Sequence, residues 1–170
     1  MSLYYPDNAR HPEQADAMRR LEIAGTCIFC PGNVDDAGDR HVALSARHWV
    51  VRHNAYPYPG TRLHLLAIPR RHVPDLLDLG ADELAEFWEV ARNVRDRYGL
   101  EFYGLGARCG DCAYTGGTVR HVHVHLVVGD VDDPAHTPVR LKLSSRPPQT
   151  ATAQSERTGW ASDAAGASPT

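Results

Sequence analysis

No stretch of this 170-residue chain approaches the ~20 consecutive apolar residues that a membrane-crossing helix needs. Met1 to Arg20 lacks the apolar centre of a secretory signal, so a cytoplasmic location is expected. An excess of basic charge is also missing: 18 Lys and Arg stand against 21 Asp and Glu, a net charge of −3. That weighs against a nucleic-acid partner with its broad basic footprint, while leaving room for one bound nucleotide. No internal repeat is visible. Cysteine is scarce and grouped, with four residues in two C-x-x-C pairs, Cys27/Cys30 and Cys109/Cys112. In a reducing compartment such pairs bind metal or do redox chemistry more often than they form structural disulfides. An ordinary apolar content at this length supports one core. The expectation is one domain over 1–143 and a tail over 144–170, whose Ser, Thr, Ala, Pro and Gln have little to bury and read as disordered.

Apolar spacing predicts a first helix over Pro12 to Ile23 and a clearer one over Asp82 to Tyr98, where Leu84, Phe87, Trp88, Ala91, Val94 and Tyr98 recur at helical intervals. Acidic residues open this second helix, arginines close it, and Gly99 is a natural stop. Short strands are predicted over 42–44, 49–52, 63–68 and 102–108, another over the histidine-rich 119–128, and one more over 139–143. Residues 31–40, 54–61 and 110–118 read as loops. Strands, one long helix, then strands again favour an α+β fold with an antiparallel sheet carrying helix on one face.

The histidine segment is the most informative. Arg120 to Gly129 reads R-H-V-H-V-H-L-V-V-G. On an extended strand His121, His123 and His125 share one face, about 6.6–6.8 Å apart, and the aliphatic residues fill the other. Such a row can bind metal, attack an electrophile or hold a phosphate. A neutral imidazole can attack phosphorus and carry a nucleotidyl group covalently, provided its other nitrogen is held as a donor. Just upstream, Thr115, Gly116, Gly117 and Thr118 offer backbone N–H groups and hydroxyls to an anion. Asn54, Thr61, Arg62, His64, Arg70 and His72 supply further hydrogen-bonding groups suited to a ribose or phosphate. Cys27-x-x-Cys30 has the spacing of half a zinc site. Either Cys109/Cys112 or two histidines, His72 and one of the row, would complete it. Spacing alone leaves both options open.

Together these segments resemble the histidine triad superfamily. His121 to Val127 matches its histidine–apolar alternation at every position. C-I-F-C, N-A-Y-P-Y, L-L-A-I-P-R-R-H-V and T-G-G-T-V-R-H resemble its upstream motifs, so the likeness covers about 26–128. The resemblance implies a five-stranded antiparallel sheet with one long helix, pairing into a ten-stranded sheet in a homodimer. It implies a nucleotidyl hydrolase or transferase acting at the α-phosphorus of a nucleoside phosphate ester, anhydride or phosphoramidate. His123 would be the nucleophile, His125 a partner of phosphate or leaving group, and His121 an orienting residue or zinc ligand. Structural zinc would be held by Cys27, Cys30, His72 and His121, phosphate by Thr118 and ribose by Asn54. Departures exist: Gly117 stands where many members carry glutamine, and Arg108-Cys109-Gly110-Asp111-Cys112 replaces a region that normally carries an asparagine near the phosphate. Two other readings are a phosphorylase or hydrolase of dinucleoside polyphosphates such as diadenosine tetraphosphate, and a zinc-stabilised nucleotide-binding module without turnover.

Overall fold

Alternating apolar residues build the centre of the fold. A computed structural model describes residues 2–34 and 41–146. Its strands β1 (Val42–Ser45), β2 (Trp49–His53), β3 (Thr61–Pro69), β4 (Gly104–Ala107) and β5 (Val124–Gly129) form one antiparallel sheet ordered β1-β2-β3-β5-β4. Central β3 pairs with β5 so that Leu66 lies opposite His125 and His64 opposite Val127. The architecture is the expected α+β one, with five antiparallel strands and one long helix.

Helix α1 (Pro12–Ile23) starts where Pro12 meets its first turn, a position that needs no N–H donor. Helix α2 (Ala81–Tyr98) is capped by the Gly80 N–H donating to Glu83 Oε2 at 2.7 Å and is ended by Gly99 at φ +58°. On one face of the sheet Phe87, Val90 and Val94 of α2 pack with Trp49, Val51, Leu65, Ala67, Val124 and Leu126. Trp49 is fully buried there, and its indole N–H donates to the Glu83 carbonyl at 2.7 Å. Truncating it to alanine is expected to cost about 3–5 kcal/mol. The opposite face is not bare. Met18 of α1 joins Tyr4, Phe29 and Val34 over Val50, Leu66 and Ile68.

Four expectations need correction. The histidine strand predicted from Val119 begins only at Val124, because the lead-in has other partners. The Arg120 N–H donates to the Leu3 carbonyl and the Val122 N–H to the Val73 carbonyl, each at 2.8 Å. The 110–118 loop contains a helical turn, α3 (Cys112–Thr115), opened by Asp111, whose carboxylate accepts the Ala113 N–H. Residues 139–143 form no strand and run as an extended strap. The expected tail is anchored at its start, since Ser145 Oγ donates to the Ala113 carbonyl at 2.6 Å. The rest of that tail, 147–170, and residues 35–40 of the polar loop lie outside the described residues.

Candidate active site

Period-two alternation carries the histidines to the α1 side. Val122, Val124 and Leu126 enter the α2-side core, while His123 and His125 wall a cavity of about 360 Å³ that Met18 and Leu21 of α1 also line. This volume is that of a small-molecule site. The three rings nevertheless do different things.

His123 is held by its own chain. Its Nδ1–H donates to the His121 carbonyl at 2.9 Å, which fixes the tautomer and leaves the lone pair on Nε2. Among the described residues Nε2 has no hydrogen-bond partner and no fully buried side-chain nitrogen or oxygen lacks one, so Nε2 opens on the cavity. Burial pushes the imidazole down to about 4, so the ring is neutral near pH 7. The Phe29 ring meets it edge-on at 5.1 Å.

His125 is backed by a relay. The Tyr58 N–H donates to His64 Nδ1 at 3.1 Å, so His64 carries its proton on Nε2 and presents it to His125 Nδ1 at 2.9 Å. His125 therefore turns an Nε2–H toward the cavity, where Arg108 Nη1 lies 3.0 Å away. Burial, then the nearby His123 and Arg108, holds His125 far below the usual imidazole range; burial alone leads for His64, at about 4. The Tyr58 ring packs at 4.5 Å from His64 and 5.4 Å from His125.

Charge in the cavity has one sign. Arg10, Arg52, Arg108, Arg140 and Lys142 line it, and no Asp or Glu does among its described walls. In a chain of net charge −3 this segregation matches an anionic ligand.

The expected substrate-binding residues divide. Asn54, Gly116 and Thr118 are in the walls. His64 is not; it stands behind His125 and supports it. Thr115 and Gly117 also miss the cavity. The Thr115 N–H and hydroxyl both donate to the Asp111 carbonyl, and the Gly116 N–H goes to the Cys112 carbonyl and to Ser145 Oγ. The expected row of open N–H donors over 115–118 is thus partly consumed by α3. Sequence reasoning missed Tyr58, Arg10, Arg108 and the strap residues Arg140 and Lys142. The only signal for Arg108 was that it opens the segment replacing the family's asparagine region.

His121 faces away from the cavity, toward cysteine. Cys27, Cys30, His72 and His121 bring one donor atom each within 4.8 Å of one another. Cys27 Sγ lies 3.5 Å from His121 Nδ1, Cys30 Sγ 3.3 Å from His72 Nδ1 and 3.9 Å from His121 Nδ1. Tetrahedral zinc with ordinary Zn–S and Zn–N bonds sets sulfur and nitrogen about 3.6 Å apart, so the donor set fits that ion. His121 Nε2 lies 2.7 Å from the Pro69 carbonyl, as a ligand imidazole commonly does on its far side. The four-cysteine alternative is not what the fold assembles. Cys109 packs against the α2-side core and Cys112 is buried beside Gly117; both are free thiols.

The HIT domain family matches residues 40–132, more than half of the chain. The chain belongs to the HIT family. It is 38% identical over 68 residues to a bifunctional bis(5'-adenosyl)-triphosphatase/adenylylsulfatase of Arabidopsis thaliana, covering 38% of this chain and 37% of that one. It is 38% identical over 66 residues to an asymmetrical bis(5'-nucleosyl)-tetraphosphatase of Schizosaccharomyces pombe, covering 38% and 36%. The chain thus matches little more than a third of the length of these curated relatives. A histidine triad nucleotide-binding protein of Candida albicans shares the fold, with a TM-score of 0.52, 19% identity, and coverage of 82% of this chain and 85% of that one. The HIT match starts after Cys27 and Cys30 and stops before the strap.

Proposed function

We propose that this HIT protein is a nucleotidyl hydrolase or transferase that works through a covalent nucleotidyl-histidine. The observation that carries the reading is His123, whose donor nitrogen is tied to a carbonyl while Nε2 faces a cavity whose charged walls are all cationic. The Nε2 lone pair forms a bond to the α-phosphorus, and the bond from phosphorus to the leaving group breaks with its pair going to the leaving group. His125 keeps its proton and hydrogen-bonds through Nε2–H to the departing group, and the cations hold the phosphate oxygens. Water then adds to phosphorus, the N–P bond returns its pair to Nε2, and the nucleoside monophosphate leaves with release of one proton. Phosphate in place of water makes the same site a phosphorylase. The excess of cationic walls over what one phosphate needs favours dinucleoside polyphosphates as a second reading, in keeping with the names of the Arabidopsis and Schizosaccharomyces relatives. A binding module without turnover is the reading to be excluded.

Cys27, Cys30, His72 and His121 would hold structural zinc, which supplies no chemistry to the reaction but fixes the backbone at His121, whose carbonyl orients His123. Four free cysteines fit a reducing cytoplasm. Terminal β4, with Leu105 exposed, would pair across a two-fold axis into the ten-stranded sheet of a homodimer.

Covalent trapping tests the mechanism. Incubation with radiolabelled diadenosine tetraphosphate or an AMP phosphoramidate, quenched in alkali, is expected to leave a base-stable adduct on the wild type and none on His123→Ala. Turnover by His123→Ala equal to wild type would remove His123 from its role.

A further inference from the structure

The glycine loop before the histidine segment is held from outside the HIT domain. Gly116 ends α3 at φ +77°, and a Cβ on Gly117 would come within 3.2 Å of Cys112 Sγ, so backbone angle and close packing keep both positions glycine. Two adjacent glycines bring no side chain that could stop the Gly117–Thr118 peptide from rotating. The brace is Asn8, the last residue of a 3-10 turn over Pro6–Asn8. Its Nδ2 group donates to the Cys112 and Gly117 carbonyls, each at 2.9 Å. Its Oδ1 accepts from Lys142 Nζ at 3.0 Å, so only one orientation of the amide satisfies all three contacts. The next carbonyl, that of Thr118, accepts the Tyr5 N–H at 3.0 Å.

The Gly117–Thr118 peptide is trans, so the Thr118 N–H points opposite to the Gly117 carbonyl and away from Asn8. Among the described residues neither this N–H nor the Thr118 hydroxyl has a hydrogen-bond partner. Thr118 lines the cavity together with His123. The Thr115 and Gly116 N–H groups are already committed to α3 and Ser145, which leaves Thr118 as the loop's wall residue with both donors free.

We infer that Asn8 is a positioning residue for nucleotidyl transfer. By holding the Gly117 carbonyl it keeps the Thr118 N–H directed at a non-bridging phosphate oxygen in the geometry that His123 needs for attack. The inference rests on the nucleotidyl-transfer reading and deepens it. Asn8 acts through the loop and not on the reacting atoms. A peptide that rotates can still meet a bound phosphate, but it does not hold the attack orientation, so the rate at saturation falls while binding changes little. In this chain the HIT domain at 40–132 is thus completed by the segment that precedes it.

Pre-steady-state labelling of the full chain with radiolabelled diadenosine tetraphosphate tests this. Asn8→Ala removes the brace. Asn8→Asp keeps the acceptor for Lys142 and removes only the donors to the two carbonyls. Both variants are expected to form the nucleotidyl-enzyme roughly tenfold or more slowly at saturation, with the half-saturating concentration moved less than about threefold. Glu22→Ala is the control for anchoring of the N-terminus alone. Glu22 Oε2 accepts the Leu3 and Tyr4 N–H groups, each at 2.9 Å, so this variant loosens the same segment without touching the loop. Its rate should stay within about twofold of wild type, and circular dichroism verifies the fold of all three. A wild-type rate in either Asn8 variant, an equal slowing in Glu22→Ala, or an effect confined to the half-saturating concentration would overturn the role of Asn8. Absence of any adduct on the wild type, with this compound and with an AMP phosphoramidate, would overturn the nucleotidyl-transfer reading itself, so the two failures are told apart.

Discussion

Replacing His64 by phenylalanine separates the relay behind His125 from packing. Phenylalanine retains a ring of similar size on β3 and removes both nitrogens. The Tyr58 N–H then loses its acceptor at 3.1 Å and His125 Nδ1 its donor at 2.9 Å, in a place where His64 is 4% exposed. Each buried group left without a partner costs about 1–3 kcal/mol, so a stability loss of about 2–6 kcal/mol is expected in urea unfolding. Activity falls for a second reason. Without the proton supplied by His64, His125 can turn its N–H to Nδ1 and accept from Arg108 instead, and the donor to the leaving group is lost. A hydrogen bond to a charged group contributes about 1.5–3 kcal/mol, so kcat/KM drops roughly 10- to 150-fold. His64→Gln discriminates, because its amide oxygen can accept from Tyr58 and its NH₂ can donate to His125. It should recover most of the activity. Wild-type kcat/KM in His64→Phe, or equal activity in the Phe and Gln variants, would refute the relay.

Elemental analysis of purified protein should find about one zinc per chain, retained in Cys109→Ser and lost in His72→Ala and Cys30→Ser; retention in the latter two would count against the Cys2His2 site. Acid should destabilise the fold through His64 and His125. Their folded-state pKa values lie below the ordinary 6.5, so below that pH the unfolded chain binds protons that the folded chain refuses. Unfolding free energy is expected to be level above pH 7 and to fall between pH 6.5 and about 4, by up to about 1.4 kcal/mol per pH unit for each histidine; a level profile through that range would contradict the burial argument. Gly60→Ala puts a Cβ at φ +76° and onto the Thr137 backbone, so a loss of about 1–3 kcal/mol and faster proteolysis of the strap are expected. Unchanged proteolysis would show that the strap does not need that glycine.

Local rules made much of this legible. Period-two alternation assigned the two faces of the histidine segment, and helical spacing with acidic and basic ends placed α2 within one residue of its start. The Cys27–Cys30 spacing gave half a metal site, and the family resemblance added His72 and His121, a donor set that the fold does bring together. Errors arose where a distant segment takes over the backbone. The N-terminal residues Leu3 and Tyr5 bond the chain at Arg120 and Thr118, so the histidine strand starts late. Asp111 captures the N–H groups that a glycine-threonine loop would otherwise offer. His64 looked like a ligand contact because it interrupts an apolar strand, but β3 pairing carries it behind His125. Arg140 and Lys142 alternate with Val139, Leu141 and Leu143, but nothing local to 139–143 says that their side of the extended segment meets the cavity.

The division of the sheet explains why so polar a site is tolerated. Four buried histidines and a half-buried arginine are costly to desolvate. The cost is confined to one face. On the other, fifteen buried apolar residues from Ala43 to Val128 pack with α2 and contain no ionisable side chain. The histidines also avoid charging, since each has a carbonyl, an amide or another ring to fix a neutral tautomer. The apolar face supplies the stability that offsets the desolvation of the polar one.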